Sequence, residues 1–76
     1  MVAVMRIPVK CYATLRGYQP RDGALDVEEG TSVEGILHGL GIPLEEAKVI
    51  FVNGRHATLD RGLEDGDRIA VFPAVG

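Results

Sequence analysis

Apolar and polar positions alternate near the start of the chain. Met5, Ile7, Val9 and Cys11 interleave with Arg6, Pro8, Lys10 and Tyr12, the period of two that one buried face imposes on a strand. Pro8 has no N–H to give to a ladder, so it must face an unpaired side or a bulge. Thr14 to Gly23 contains two glycines and a proline and reads as a connecting loop with one helical turn at Leu15-Arg16. Leu25 and Val27 then alternate with Asp26 and Glu28 as a second strand, closed by Gly30.

The period changes after Gly30. Val33, Ile36, Leu37 and Leu40 recur at helical spacing, Thr31 and Glu34 stand as a capping box, and Gly41 and Pro43 stop the helix. Gly35 and Gly39 each disfavour a helix by up to about 1 kcal/mol relative to alanine, so packing of the apolar stripe must hold it. Their four-residue spacing would also let a neighbouring backbone approach, but simple tolerance is the expected reading. Pro43 to Ala47 reads as a short helical turn and Val49 to Val52 as a third strand. Asn53-Gly54 follows, the dipeptide that a two-residue type I′ hairpin requires because both central positions need positive φ. Arg55 to Thr58 is expected to return, Leu63 to Asp67 to form a tight turn, and Arg68 to Phe72 to form a last strand with Ile69 and Val71 inward. Pro73 ends that pairing and frees a flexible tail over residues 73–76.

The order is hairpin, helix, strand, short hairpin, strand. One helix laid across a mixed sheet of four or five strands lets the helix stripe and the inward strand residues share a core, an α+β architecture in a single domain over residues 1–76. The first and last strands are expected side by side and parallel, with the helix in the crossover.

Composition narrows the function classes. A 76-residue chain holds too small a core for a deep substrate pocket of several hundred Å³, so function is expected on the surface or at an end. The formal net charge is -3, with both signs interspersed and no Lys/Arg cluster, which argues against nucleic-acid phosphates as the partner. Cys11 is the one cysteine. It cannot form an internal disulfide or supply an iron-sulfur or structural zinc site, and it fits a reducing compartment. No apolar run approaches the roughly 20 residues of a membrane helix, and Met1 to Met5 is too short for a signal peptide, so the protein is expected in the cytoplasm with no membrane partner.

The residues with chemical potential have structural readings as well. His38 and His56 have no spacing that pairs them as metal ligands and are read as surface residues. Cys11 has inward parity and is read as a small core residue. Glu64, Asp65 and Asp67 lack the spaced oxygens of a calcium loop and are read as turn chemistry. Glu28, Glu29, Glu45 and Glu46 are read as solvated faces that could also steer a basic partner. No Gly-rich phosphate loop occurs, so ATP would bind a partner rather than this chain.

Five segments taken together carry a resemblance: the strand Met5 to Cys11, the helix after Thr31, Val52-Asn53-Gly54, the string Leu63-Glu64-Asp65-Gly66-Asp67-Arg68-Ile69, and the ending Phe72-Pro73-Ala74-Val75-Gly76. In this order and at this length the chain resembles the ubiquitin-like β-grasp family, and within it the sulfur-carrier group of the molybdopterin synthase small subunit and the thiamine-pathway carrier. Phe72-Pro73 looks more like the molybdopterin type. The resemblance implies a protein that is a reactant and not an enzyme. A ubiquitin-activating-type adenylating enzyme would activate the carboxylate of Gly76 with ATP, a sulfur donor would convert it to a thiocarboxylate, and a synthase subunit would accept the sulfur. No cofactor would stay bound to the carrier, which would be a monomer when alone. The family normally ends in Gly-Gly, whereas Val75 stands before Gly76 here. Gly76 has no Cβ and suits a narrow channel, but Val75 is β-branched and stiff at χ1.

Partner docking is expected on the outward face of the sheet near the tail, through Pro8, Ala70, Phe72, Pro73, Ala74 and Val75, with Phe72 as the aromatic anchor. The competing reading of Phe72 is that it folds back over the sheet end. The competing reading of the whole chain is an adaptor module without tail chemistry. Conjugation to lysines would share the same activation step.

Overall fold

The computed structural model describes residues 3–74. Five strands form one mixed sheet: β1 (Val4–Cys11), β2 (Ala24–Glu28), β3 (Val49–Val52), β4 (Arg55–His56) and β5 (Ile69–Phe72), in the order β2-β1-β5-β3-β4. β1 is antiparallel to β2 and parallel to β5, and β3 is antiparallel to both β5 and β4. The one α-helix among the described residues, α1 (Val33–Leu40), lies in the crossover between the parallel strands, and short 3-10 turns cover Ala13–Tyr18 and Leu44–Glu46. The four- or five-stranded sheet on one helix and the neighbouring first and last strands are as expected.

The core forms where the two periodicities meet. Met5, Ile7, Val9 and Cys11 of β1, Val33, Ile36 and Leu37 of α1, Ile50 and Val52 of β3, and Ile69 and Val71 of β5 are all buried in one cluster. Burying such a side chain stabilises the fold by about 1.5–3 kcal/mol. Leu15 closes the cluster from the first 3-10 turn, at 0% exposure. Burial raises the pKa of the Cys11 thiol, as fits an inert core residue.

Pro8 sits where β1 changes partners. Arg6 and Tyr12 direct their N–H groups toward the 65–71 side, to Asp65 Oδ1 and Val71 O, while Val9 directs its own to Gly23 O on the β2 side. By this alternation the missing donor of Pro8 faces the interval between Asp65 and the first paired residue of β5, Ile69 opposite Val9. The proline therefore costs no ladder bond.

Two expectations need correction. The helix cap is Ser32, whose hydroxyl accepts from Gly35 N at 3.3 Å, so the Thr31/Glu34 box does not form. Thr31 Oγ1 donates backward to Glu28 O at 2.6 Å, and Glu34 pairs with His38 across one turn at 3.4 Å. The return strand is confined to Arg55–His56, because Ala57 turns inward after donating to Ile50 O. At Gly39 simple tolerance holds: a Cβ there would meet only the side-chain end of Leu25, Cδ2 at 3.3 Å, and no neighbouring backbone within 4 Å.

Candidate functional site

The outward face of β1, β5, β3 and β4 carries the features that a partner could read. Register sets its rows: Lys10 is paired with Ala70, Ala70 with Phe51, and Phe51 with His56, while Phe72 is paired with Val49. Strand alternation then brings three aromatic rings together from distant parts of the chain. Tyr12 stacks on Phe72 with centroids 4.4 Å apart and planes 6° from parallel. Phe51 meets Phe72 edge to face at 5.7 Å, and His56 meets Phe51 edge to face at 6.1 Å. Lys10 Nζ lies 5.9 Å from the Tyr12 ring centre.

A shallow groove of about 470 Å³ runs over Ala70 between these rings, with Lys10 and Arg68 on its border. Among the described residues no carboxylate lines it. The carboxylates of this face lie on the other half of the sheet, where Asp26 accepts from Arg6 Nη1 at 3.3 Å and Glu28 stands opposite Val4.

The turn that delivers β5 to this face is fixed by side chains. Asn53, at φ 54°, and Gly54, at φ 81°, form the expected hairpin turn. Asn53 Oδ1 accepts from Arg68 N at 3.0 Å, and Asn53 N donates to Arg68 O at 2.8 Å. Asn53 Nδ2 donates to Asp67 Oδ1 at 2.9 Å, and Glu64 N donates to Asp67 Oδ2 at 2.9 Å. The Glu64 N–H, the Asn53 amide and, more distantly, the Arg61 charge hold the Asp67 carboxyl below its ordinary pKa, against a smaller opposing effect of burial. Asp65 has a different task from its neighbour, accepting from Arg6 N at 2.7 Å and so covering an unpaired stretch of β1. The acidic string is turn chemistry, and the described residues hold no cluster suited to a metal ion.

Of the residues singled out in the sequence, Ala70 and Phe72 lie together on this face and are half-buried. Phe72 is packed between Tyr12 and Phe51 rather than standing alone. Pro8 shares the face but lines a neighbouring groove with Gln19, Gly23 and Arg68. Pro73 is half-buried and Ala74 exposed, both outside regular structure. Val75 and Gly76, the rest of the expected flexible tail, lie outside the described residues. Sequence reasoning missed Tyr12, Phe51, Lys10 and Arg68 as members of the site. Their outward parity was readable, but their convergence depends on the β1–β5 register.

This sheet, with its helix in the crossover and its C-terminal strand at the centre, defines a ubiquitin-like β-grasp protein. The sequence profile described as Mut7-C ubiquitin matches residues 4–76, and the chain belongs to that family. A Pyrococcus furiosus chain described as a molybdopterin converting factor, subunit 1, is 28% identical with a TM-score of 0.66 over 93% of this chain and 99% of that one. The Haloferax volcanii protein HVO 2177 superposes with a TM-score of 0.75 at 24% identity, over 96% of this chain and 86% of its own. Small archaeal modifier protein 1 of the same organism does so at 0.69 and 23% identity, over 93% of this chain and 99% of its own. These last two likenesses establish the fold. No curated protein matches the chain.

Proposed function

We infer that the chain is a carrier whose C-terminal carboxylate is activated by a separate adenylating enzyme and converted to a thiocarboxylate, with the molybdopterin-type pathway favoured over the thiamine type. The observation that most supports this is the adjacency of face and tail. β1 and β5 are parallel and end at one edge of the sheet, so the aromatic face leads through Phe72 and Pro73 to an exposed Ala74, two residues before Gly76. A partner gripping the face would have the chain's end within reach. The likeness to the Pyrococcus furiosus chain agrees with this reading.

The chemistry asks little of the carrier. The Gly76 carboxylate attacks the α-phosphorus of ATP in the partner's site, pyrophosphate leaves, and an acyl adenylate forms. A hydrosulfide-equivalent donor then attacks the carbonyl carbon, the bond to AMP breaks, and the acid leaves as a thiocarboxylate. The carrier contributes a rigid handle and an end without a side chain, while ATP and the donor stay with the partner.

A second reading is favoured by Val75-Gly76, which stands in place of the Gly-Gly normal for the group. In that reading the chain is an adaptor that uses the same face without tail chemistry. Incubation with a matching adenylating enzyme, ATP and sulfide, followed by intact-mass measurement, separates the two. Exchange of one oxygen for sulfur at Gly76 supports the carrier. An unchanged mass, under conditions that modify a Gly-Gly-ended version, supports the adaptor.

A further inference from the structure

We propose that the free edge of the sheet beside β4 holds a phosphomonoester-binding pocket, in which the guanidinium groups of Arg55 and Arg61 grip the phosphate over a floor of Val52 and Ala57. Asn53, Arg55, His56 and Arg61 line an open pocket of about 390 Å³ together with those two apolar residues, a volume at the small end of the range of ligand sites. Register places it on the helix side of the sheet. Val52 and Ala57 are buried in the core, Arg55 is paired with Val52, and strand alternation puts Arg55 and Ala57 on the same face. The aromatic cluster lies on the other face, and of its members only His56 also borders this pocket.

Neither arginine is neutralised within the fold. Ion pairs within 4 Å among the described residues join Arg6 to Asp26 and His38 to Glu34. Asp60, next to Arg61 in sequence, accepts from Thr58 Oγ1. Asp67 is engaged by Asn53 Nδ2 and Glu64 N, and the Arg61 charge is the smallest of the influences on it. Both arginines also stand on anchored backbone. Arg55 follows the hairpin turn, while Arg61 N donates to Thr58 O at 3.2 Å and the carbonyls of Arg61 and Leu59 accept from Val33 N and Glu34 N, each at 2.9 Å. Ala57 N donates across to Ile50 O at 2.8 Å, so by alternation the N–H of His56 points away from β3 to the open edge, a further donor without a strand partner.

Two cations and a free N–H, with no carboxylate among the lining residues, in a chain of net charge -3, are arranged for a compact anion. A phosphomonoester carries about 1.5–2 negative charges at neutral pH and three strong acceptor oxygens. It therefore matches two guanidinium forks, which bind phosphate oxygens in parallel pairs, better than a singly charged carboxylate does. A nucleic-acid backbone is a long polyanion, and the acidic balance of the whole chain opposes it.

The test uses the full chain, isotopically labelled, with glucose 6-phosphate, a short phosphoserine peptide, glucose and single-stranded oligothymidine as probes, at an ionic strength matched with sodium chloride. Glucose 6-phosphate or the phosphoserine peptide should shift the amide resonances of Arg55, His56, Ala57 and Arg61 saturably at millimolar concentration, and the tighter of the two names the source of the phosphate. Glucose should shift none of them. Arg55→Gln and Arg61→Gln should each weaken that binding about tenfold. Both side chains are exposed, so the amide spectrum of the core should stay native. The proposal is overturned if neither phosphate probe shifts these amides, if glucose shifts them equally, if both variants bind as well as the parent, or if oligothymidine binds more tightly than either phosphomonoester. The tail takes no part in these readouts, so the reading of the chain as a carrier stands or falls separately.

Discussion

Replacing Asp67 with alanine tests whether the turn before β5 is held electrostatically. The substitution removes two acceptors, one for Glu64 N and one for Asn53 Nδ2, each at 2.9 Å. Such bonds contribute about 0.5–1.5 kcal/mol net, and those near the surface fall in the lower part of that range. The expected loss is about 1–2 kcal/mol, or roughly 5–15 °C of melting temperature for a domain of this size. The pH dependence follows from the direction of the shift. The folded carboxyl lies below its ordinary value of 3.8, so its contribution is complete above the unfolded pKa and is lost as pH falls through the folded one. Thermal melts followed by circular dichroism should therefore show the full gap between parent and variant at neutral pH and a narrowing gap below roughly pH 4. A gap of the same size in acid, or none at neutral pH, would refute the reasoning.

Other substitutions probe separate parts of the structure. Phe72→Ala should weaken binding of a matching adenylating enzyme while the domain stays folded at room temperature; loss of the native amide spectrum would mean that the ring is chiefly structural. Tyr12→Ala should remove a stacked pair contributing about 0.5–1.5 kcal/mol and lower the melting temperature correspondingly, with Tyr12→Phe restoring it. Gly41 ends α1 at φ 78°, so Gly41→Ala should cost about 1–2 kcal/mol in chemical denaturation. At Gly39 φ is ordinary and the Cβ neighbour is the flexible end of Leu25, so Gly39→Ala should be close to neutral, its propensity gain of about 1 kcal/mol offset by the crowding. Ile36→Ala, at a position with 0% exposure, should cost about 2–5 kcal/mol.

Local chemistry made most of the fold readable. The strand alternation of β1, the helical stripe from Val33 to Leu40 and the Asn53-Gly54 turn are each set by residues a few positions apart, and all are present; the tight turn at Asp65-Gly66-Asp67 is present too, held in addition by Asn53 and by the Arg6 N–H. The misplaced helix cap shows where such reading stops. Thr31 and Ser32 are both capable caps, and the choice fell to Ser32 because the Thr31 hydroxyl is drawn back to the Glu28 carbonyl. The site was legible only at Ala70 and Phe72. Tyr12 and Phe72 are far apart in sequence, and their stack arises because Cys11 pairs with Val71 in the parallel ladder, a register that periodicity does not specify.

The parallel pairing of β1 with β5 also polarises the molecule. An eight-residue strand spans roughly 25 Å, and β1 runs from Val4 at one rim to Cys11 beside the tail's point of departure. A fluorophore or purification tag placed ahead of Val4 is thereby kept at the far rim, away from both the aromatic cleft and the outgoing chain. Immobilising the protein by that end would turn the aromatic cleft away from the support.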